Sequence, residues 1–401
     1  MNKTLDNRKK LDDSYNFAKT NQLKFASMMV NNFSDLEHVS SKTLKRVKNC
    51  STNLIMHVNN DYSSHKIVKI NACNHKYCPI CQHRKSVRES FRLSKAIKFM
   101  SMVGYDFYFV TLTIKNVGVD FFRDTVRMMQ DSLNRFMKYK NNSFIKGYFS
   151  KFEFTRNWHN GTFHPHLHLL IAVKKGFHVD SDAMFQDWCK ANVAAGNSIP
   201  LSKKGFFFES VTDSDNASKE MAKYVVKSSD LFLSNYDFVQ ILNSTYGLKT
   251  TNSGGFLKLV LKMVDADRVL GVHFFDKIFG NEIITYDIRR ELTWDSYISR
   301  YLVVESKLDV SDVSDVSDFS CEYLNNKYFE IFSDLKKIKS DLAFSKFALK
   351  KSEKFTSDFY YFRKIVSRLN YSFRISKLRL EGLSIMQNYL FCKEYNCYFH
   401  F

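Results

Sequence analysis

The chain has 401 residues, 60 Lys and Arg against 41 Asp and Glu, a formal net charge of +19 and a pI near 9.4. Its 44% of apolar residues is enough to bury real cores, which excludes a wholly disordered, collagen-like or disulfide-stapled miniprotein. So large a positive surplus, with 38 Phe and 21 Tyr, points to a polyanionic partner, nucleic acid before any other.

Residues 1–40 are polar and rich in Asn and Lys, and read as an N-terminal extension with weak helical periodicity. The first ten residues lead into no apolar run, so no secretory signal is expected, and no stretch approaches the ~18 apolar residues of a membrane span. The expected location is cytoplasmic, where cysteines are read as metal ligands or free thiols rather than disulfides.

Residues 41–100 form a basic segment in which Asp61 and Glu89 are the only acids. Cys73-Asn-His-Lys-Tyr-Cys78-Pro-Ile-Cys81 contains the C-x2-C half of a zinc knuckle, with Pro79 tightening the turn so that two thiolates reach one ion. A tetrahedral Zn²⁺ needs a fourth ligand, for which Cys50, His57, His65, His75 and His83 compete. The expected role is structural: the ion would fix the start of a helix over Gln82–Met100, whose Arg84, Lys85, Arg88 and Arg92 read as a phosphate-contacting face.

Strands and helices then alternate. Phe107–Ile114 is rich in β-formers and predicts a strand. Phe122, Val126, Met129, Leu133 and Met137 recur at helical spacing within Val119–Lys138. Ile145–Phe154 and His164–Val173 predict two strands, and Asn160-Gly161 between them predicts an antiparallel hairpin. Because strand side chains alternate, His164, His166 and His168 share one face, while Leu167, Leu169, Ile171 and Val173 fill the core face. On the partner strand Phe152 and Phe154 must join that core, which puts Lys151, Glu153 and Thr155 on the histidine side. Two imidazoles and a carboxylate with open positions suit Mg²⁺ or Mn²⁺ that must also bind a phosphate oxygen.

Phe206–Val211 predicts a short strand and Asn216–Ser229 a helix. On that helix Glu220 and Tyr224 are four residues apart and share a face, with Lys227 one turn on. A phenol, whose ordinary pKa is about 10, becomes a nucleophile for phosphorus only when a cation draws off its proton, and Lys227 is placed to stabilise the phenolate or the phosphate. Glu220 is placed to take a proton from water. Beyond residue 235 the pattern blurs. Ser311–Asp318 is a small Ser-Asp-Val repeat that reads as a linker, and a Phe-rich, basic, helical region follows from 321 to 401.

With these blocks in this order, the sequence resembles the rolling-circle plasmid replication initiators of the HUH endonuclease superfamily. Phe109-Val-Thr-Leu-Thr113 resembles the family's first motif, His164-Pro-His166-Leu-His168 its metal strand and Lys223-Tyr224-Val-Val-Lys227 its tyrosine motif. Glu220, at the spacing where a second tyrosine would otherwise stand, is similar to the one-tyrosine branch. Glycines at Gly247 and Gly254-Gly255 extend the likeness over roughly residues 41–270, and Cys50 occupies the place of another family cysteine.

The resemblance implies an α+β fold, with an HUH-type antiparallel sheet carrying helices on one face over 101–235. A zinc-binding segment would precede it over 41–100. A family-like extension (236–310), a linker (311–320) and the helical basic region would follow. It also implies nicking of one origin strand by Tyr224 through a 5′-phosphotyrosyl intermediate, with His166, His168 and Glu153 on Mg²⁺ or Mn²⁺ and His164 a possible further ligand. Glu220 would serve in termination. Implied partners are single-stranded or cruciform origin DNA of a bacterial plasmid, a host helicase and polymerase, and a second copy of the chain. The competing readings are a mobilisation relaxase or transposase of the same superfamily, and a non-catalytic zinc-dependent DNA-binding regulator.

Overall fold

The computed structural model describes residues 2–157, 159–222, 234–270, 273–280, 286–308, 321–351 and 357–394. In chain order the elements begin with α1 (Asn2–Asn31), α2 (Ser41–Lys48), β1 (Asn53–Val58), β2 (His65–Ile70) and α3 (Pro79–Met102). Next come β3 (Tyr105–Thr113), α4 (Phe122–Phe136), β4 (Gly147–Arg156), β5 (Phe163–Lys174), α5 (Ser181–Ala194), β6 (Phe206–Ser210) and α6 (Ser214–Ala222). They are followed by α7 (Asn235–Thr245), β7 (Thr251–Gly254), α8 (Gly255–Leu270), α9 (Phe274–Phe279), β8 (Ile288–Asp295), β9 (Arg300–Lys307), α10 (Cys321–Lys351) and α11 (Ser357–Glu394). The chain is thus α+β. The expected linker at 311–320 lies outside the described residues.

Two compact units emerge. The first comprises Met1–Ile97, Gly104–Gly254 and Ile284–Val313. Its centre is an antiparallel sheet in the order β6-β3-β5-β4-β7. The predicted hairpin forms: the Asn157 N–H donates to the Thr162 carbonyl at 2.8 Å, and Gly161 takes φ +68°, the left-handed conformation this turn needs. Phe152, Phe154, Leu167, Leu169, Ile171 and Val173 face one side and are buried with Phe122, Val126, Met129 and Leu133 of α4 and Trp188 of α5. Phe122 stands edge-to-face on Phe154 at 4.7 Å and packs on Phe152 and Phe163; such pairs add about 0.5–1.5 kcal/mol each beyond the buried area. At the β4 edge, a side chain on Gly254 would meet the Tyr148 ring at 2.3 Å, so only glycine lets β7 lie there.

A second antiparallel sheet, in the order β2-β1-β8-β9, also belongs to this unit. Leu54, Met56 and Val58 alternate into a small core with Leu292 and Tyr301, covered by Leu11 and Tyr15 of α1. Fully buried Arg290 pairs with Asp12 at 2.9 Å and Glu305 at 2.7 Å, and lies over the Tyr62 ring. The first forty residues therefore contain a helix that serves two cores, since Phe25 and Met29 of α1 join the larger one.

The second unit comprises Lys98–Val103, Gly255–Ile283 and Ser314–Phe401. Here α10 and α11 pair lengthwise and α11 packs on α8. Gly382 lies so close to Ala266 that any side chain would meet its Cβ at 2.1 Å, and Lys262 pairs with Glu381 at 2.7 Å beside it. The Asp267 carboxylate accepts the Phe274 N–H at 2.7 Å and caps α9. Among the described residues no helix is long and apolar enough to cross a membrane.

Candidate functional site

Strand pairing aligns Glu153 with His166 and Lys151 with His168. The ligand atoms of Glu153, His166 and His168 all lie within 4.8 Å of one another, so the structure brings together the three residues that strand alternation put on one face. Glu153 and His168 Nε2 are 3.2 Å apart, and both side chains are nearly enclosed. The imidazoles are held from behind. His166 Nδ1 donates to the His164 carbonyl at 3.2 Å, and His168 Nδ1 lies 3.2 Å from the Thr111 hydroxyl. Both Nε2 atoms are thereby directed to the shared point, as in sites where an outer hydrogen bond fixes the ligand tautomer. His164 contributes its carbonyl to that arrangement, and its ring packs against His166 with centroids 5.6 Å apart.

The electrostatics suit a cation. Burial, reinforced by neighbouring His168, pushes His166 down to about 4, so it is neutral and able to ligate throughout the physiological range. Burial works to raise Glu153, yet the His168 hydrogen bond and the Lys151 charge outweigh it and leave the carboxyl below its usual range. Burial also lowers Lys151, to about 8, against the pull of Glu153; Lys85, Glu89 and Glu220 are near enough to act on it too. A hard cation that accepts nitrogen and carboxylate donors fits this set.

A pH dependence follows. With no Mg²⁺ or Mn²⁺ added, folding stability should fall as pH drops from about 6.5 to about 4. In that window the unfolded chain binds a proton at His166 that the folded chain excludes, worth about 1.4 kcal/mol per pH unit. His75, also pushed down to about 4 by burial, adds a parallel slope. Urea titrations across this range should show His166→Gln flattened by one imidazole's share; an unchanged slope would contradict the assignment.

The second cluster is sulfur. The Cys50 Sγ lies 3.7 Å from those of Cys78 and Cys81, and Cys73 Sγ lies 3.6 Å from Cys81 Sγ. A tetrahedral ion with Zn–S bonds of about 2.3 Å needs S···S edges of roughly 3.8 Å, so the four thiols already have the right spacing. Cys50 joins the other three, whereas His57, His65, His75 and His83 do not. His65 instead faces the Tyr15 hydroxyl at 3.1 Å, and His75 packs on Phe25. Backbone N–H groups of Cys73, Asn74 and His75 donate to the Sγ atoms of Cys50, Cys81 and Cys73. Hydrogen bonds among the four sulfurs pull the Cys50 and Cys81 thiols down and push those of Cys73 and Cys78 up. From α1, buried Lys19 donates to the Cys50 carbonyl at 2.6 Å and to Gln22, which in turn donates to the Val47 carbonyl.

Cys81 lies in the first turn of α3, so the sulfur cluster fixes where this helix begins. Lys85 and Arg88 on it are exposed, Arg84 is half-buried and Arg92 pairs with Glu89 at 3.7 Å. Ser90 meets Ser218 of α6 at 3.3 Å, which ties α3 to the helix carrying Glu220. Glu220 is half-buried, and α6 packs on β5. Tyr224 and Lys227 lie outside the described residues. Strand alternation places Lys151 on the histidine side, two residues from Glu153, but gives it no role, and neither Lys19 nor the Thr111 hydroxyl has one in the sequence pattern.

Residues 64–302 match a protein family described as replication protein. The chain is 28% identical over 229 residues to a protein rep of Staphylococcus aureus, covering 55% of this chain and 96% of that one. It is 29% identical over 259 residues to a protein rep of Lactiplantibacillus plantarum (58% and 79% covered) and 25% over 295 residues to one of Lentilactobacillus hilgardii (67% and 90%). No solved structure matches the chain.

Proposed function

We propose that this chain, which belongs to the replication-protein family of plasmid rolling-circle initiators, nicks one strand of its plasmid's origin through a covalent tyrosyl intermediate. The observation that carries this reading is the convergence of Glu153, His166 and His168 on one point of the sheet. Those three residues would hold Mg²⁺ or Mn²⁺, which when bound withdraws charge from a phosphate oxygen. The Tyr224 phenol loses its proton to water and attacks phosphorus; the Tyr224 Oη–P bond forms, the P–O3′ bond breaks, and the 3′ oxygen leaves and takes a proton from water. The strand's 5′ end remains on the tyrosine and the free 3′-OH primes the host polymerase, with a host helicase opening the duplex. Lys227 steadies the phenolate or the phosphate. Glu220 activates water, or the strand is rejoined, to close the cycle. Arg84, Lys85, Arg88 and Arg92 contact phosphates along the incoming strand, and the four cysteines bind a structural Zn²⁺ that sets the start of their helix.

The test is a denaturing gel of labelled single-stranded origin DNA with protein and Mn²⁺. The wild type should shift the label by the mass of the protein, and Tyr224→Phe or a chelator should abolish the shift. Glu220→Ala should still form the adduct but release it slowly. Tight, salt-sensitive binding with no adduct on any origin fragment would instead identify a zinc-dependent DNA-binding regulator.

A further inference from the structure

Lys151 is buried to 3% exposure on the same sheet face as the triad, directly across the ladder from His168 and two residues from Glu153. Its Nζ has no hydrogen-bond partner among the described residues. A buried ammonium without a partner is costly, far more so than a neutral side chain of that size. The nearby carboxylates do not relieve it by direct contact. Glu153 is engaged by His168 and Glu89 by Arg92, and Glu220, which also acts on Lys151 through space, makes no hydrogen bond to its Nζ. A bound anion would answer this charge, and the site's own chemistry names the class.

We propose that Lys151 is a phosphate-contacting residue whose ammonium bonds a non-bridging oxygen of the scissile phosphodiester; this rests on the nicking reaction inferred above. The charge balance supports it. A divalent ion on one carboxylate and two neutral imidazoles leaves a single net positive charge. Attack by a phenolate carries the phosphodiester from one negative charge to two. Positive charge beyond the metal's is therefore needed as the transition state forms; with Lys227 serving the tyrosine side, Lys151 adds it from the metal side, in a nearly enclosed site where fixed charges act most strongly. Register favours the contact: residues directly opposite on an antiparallel pair have Cβ atoms about 4.5–5.5 Å apart, so Lys151 starts alongside His168 and its stem is long enough to reach past the ligand atoms.

The experiment has two arms, both with Lys151→Met and Lys151→Arg. Methionine fills the same space without charge, so the fold should persist and the melting temperature should equal or exceed that of the wild type. In the first arm inorganic phosphate is titrated in the presence of Mg²⁺ and followed by ³¹P line width. K151M should bind it about tenfold more weakly and K151R within about threefold of wild type, as expected for a charge-assisted contact. Calorimetric Mn²⁺ affinity should be unchanged in K151R and should change in K151M by much less than phosphate affinity, since Lys151 is only one of the groups that hold Glu153 ionised. In the second arm, single-turnover nicking by K151M should fall about a hundredfold. Phosphate binding that is absent from the wild type, or equal in wild type and K151M, overturns the assignment, as does a parallel loss of Mn²⁺ affinity, which would make Lys151 a positioning residue for the metal. If the wild type forms no tyrosyl adduct while the phosphate arm behaves as stated, the nicking reaction falls and the anion site stands.

Discussion

His168→Ala should slow single-turnover nicking of origin DNA by roughly 10³-fold, since a Lewis acid on phosphate supplies several kcal/mol and each 1.36 kcal/mol is a factor of ten. The loss has two parts. One nitrogen donor goes, and with it the His168 contact at 3.2 Å that holds Glu153 ionised against its own burial. Glu153 should then move upward in pKa and weaken as a ligand, so Mn²⁺ affinity measured by calorimetry should fall by more than one ligand's share. His166→Ala should behave similarly. His164→Ala should be far milder, within about threefold, because the group of His164 that orients His166 is its backbone carbonyl, which alanine retains. Titrating Mn²⁺ from micromolar to millimolar should partly rescue the His166 and His168 variants and leave the Tyr224→Phe variant inactive. Full activity of His168→Ala at low Mn²⁺ would remove the triad from the reaction.

Cys78→Ser should have the largest effect on the protein as a whole. Purified wild type should carry one zinc per chain, and the variant should lose it. A structural zinc contributes several kcal/mol or more of folding free energy, and at about 2–4 °C per kcal/mol the melting temperature should fall by roughly 10 °C or more. Damage should not stay local. The four sulfurs join the end of α2, the exit of β2 and the first turn of α3, and Lys19 of α1 is bonded to the Cys50 carbonyl. Loss of the ion should therefore loosen the basic helix and weaken DNA binding along with stability. Cys189, half-buried and outside the cluster, gives the control: Cys189→Ser should leave zinc content and melting temperature unchanged. A zinc-free wild type with the same melting temperature would refute the assignment.

The face carrying Glu153 and the histidines was legible in the sequence because hairpins write their geometry locally. Asn160-Gly161 sets the turn, the alternation of Phe152 and Phe154 against Leu167 and Leu169 chooses the buried face, and Glu153 and the histidines are left together on the other. The sulfur site was legible for the same reason in three of its members; the fourth, Cys50, was preferred to the histidines on the family resemblance, and it lies with the other three. The β2-β1-β8-β9 sheet was not legible. Its strands are short, β2 is an edge with Lys66, Val68 and Lys69 exposed, and the partner of β1 stands far away in the chain. The first helix hid for a different reason. Its buried stripe of Leu11, Tyr15, Lys19, Gln22, Phe25 and Met29 has the right spacing, but two of its members are polar because they face backbone carbonyls and one another rather than oil.

The pairing of β1 with β8 also sets a clock on synthesis. Asn53–Val58 leaves the ribosome with one ladder edge satisfied by β2, and the other waits until Ile288–Thr293 has been made. At 5–20 residues per second that interval is roughly 10–50 s. Throughout it Asp12 and the apolar row of Leu54, Met56 and Val58 lack the strand bearing Arg290 and Leu292 that encloses them in the finished protein. The amino-terminal segment therefore stays incompletely paired until translation has passed the whole five-stranded sheet, and a chain built this way closes its second sheet only once about 300 residues have been made.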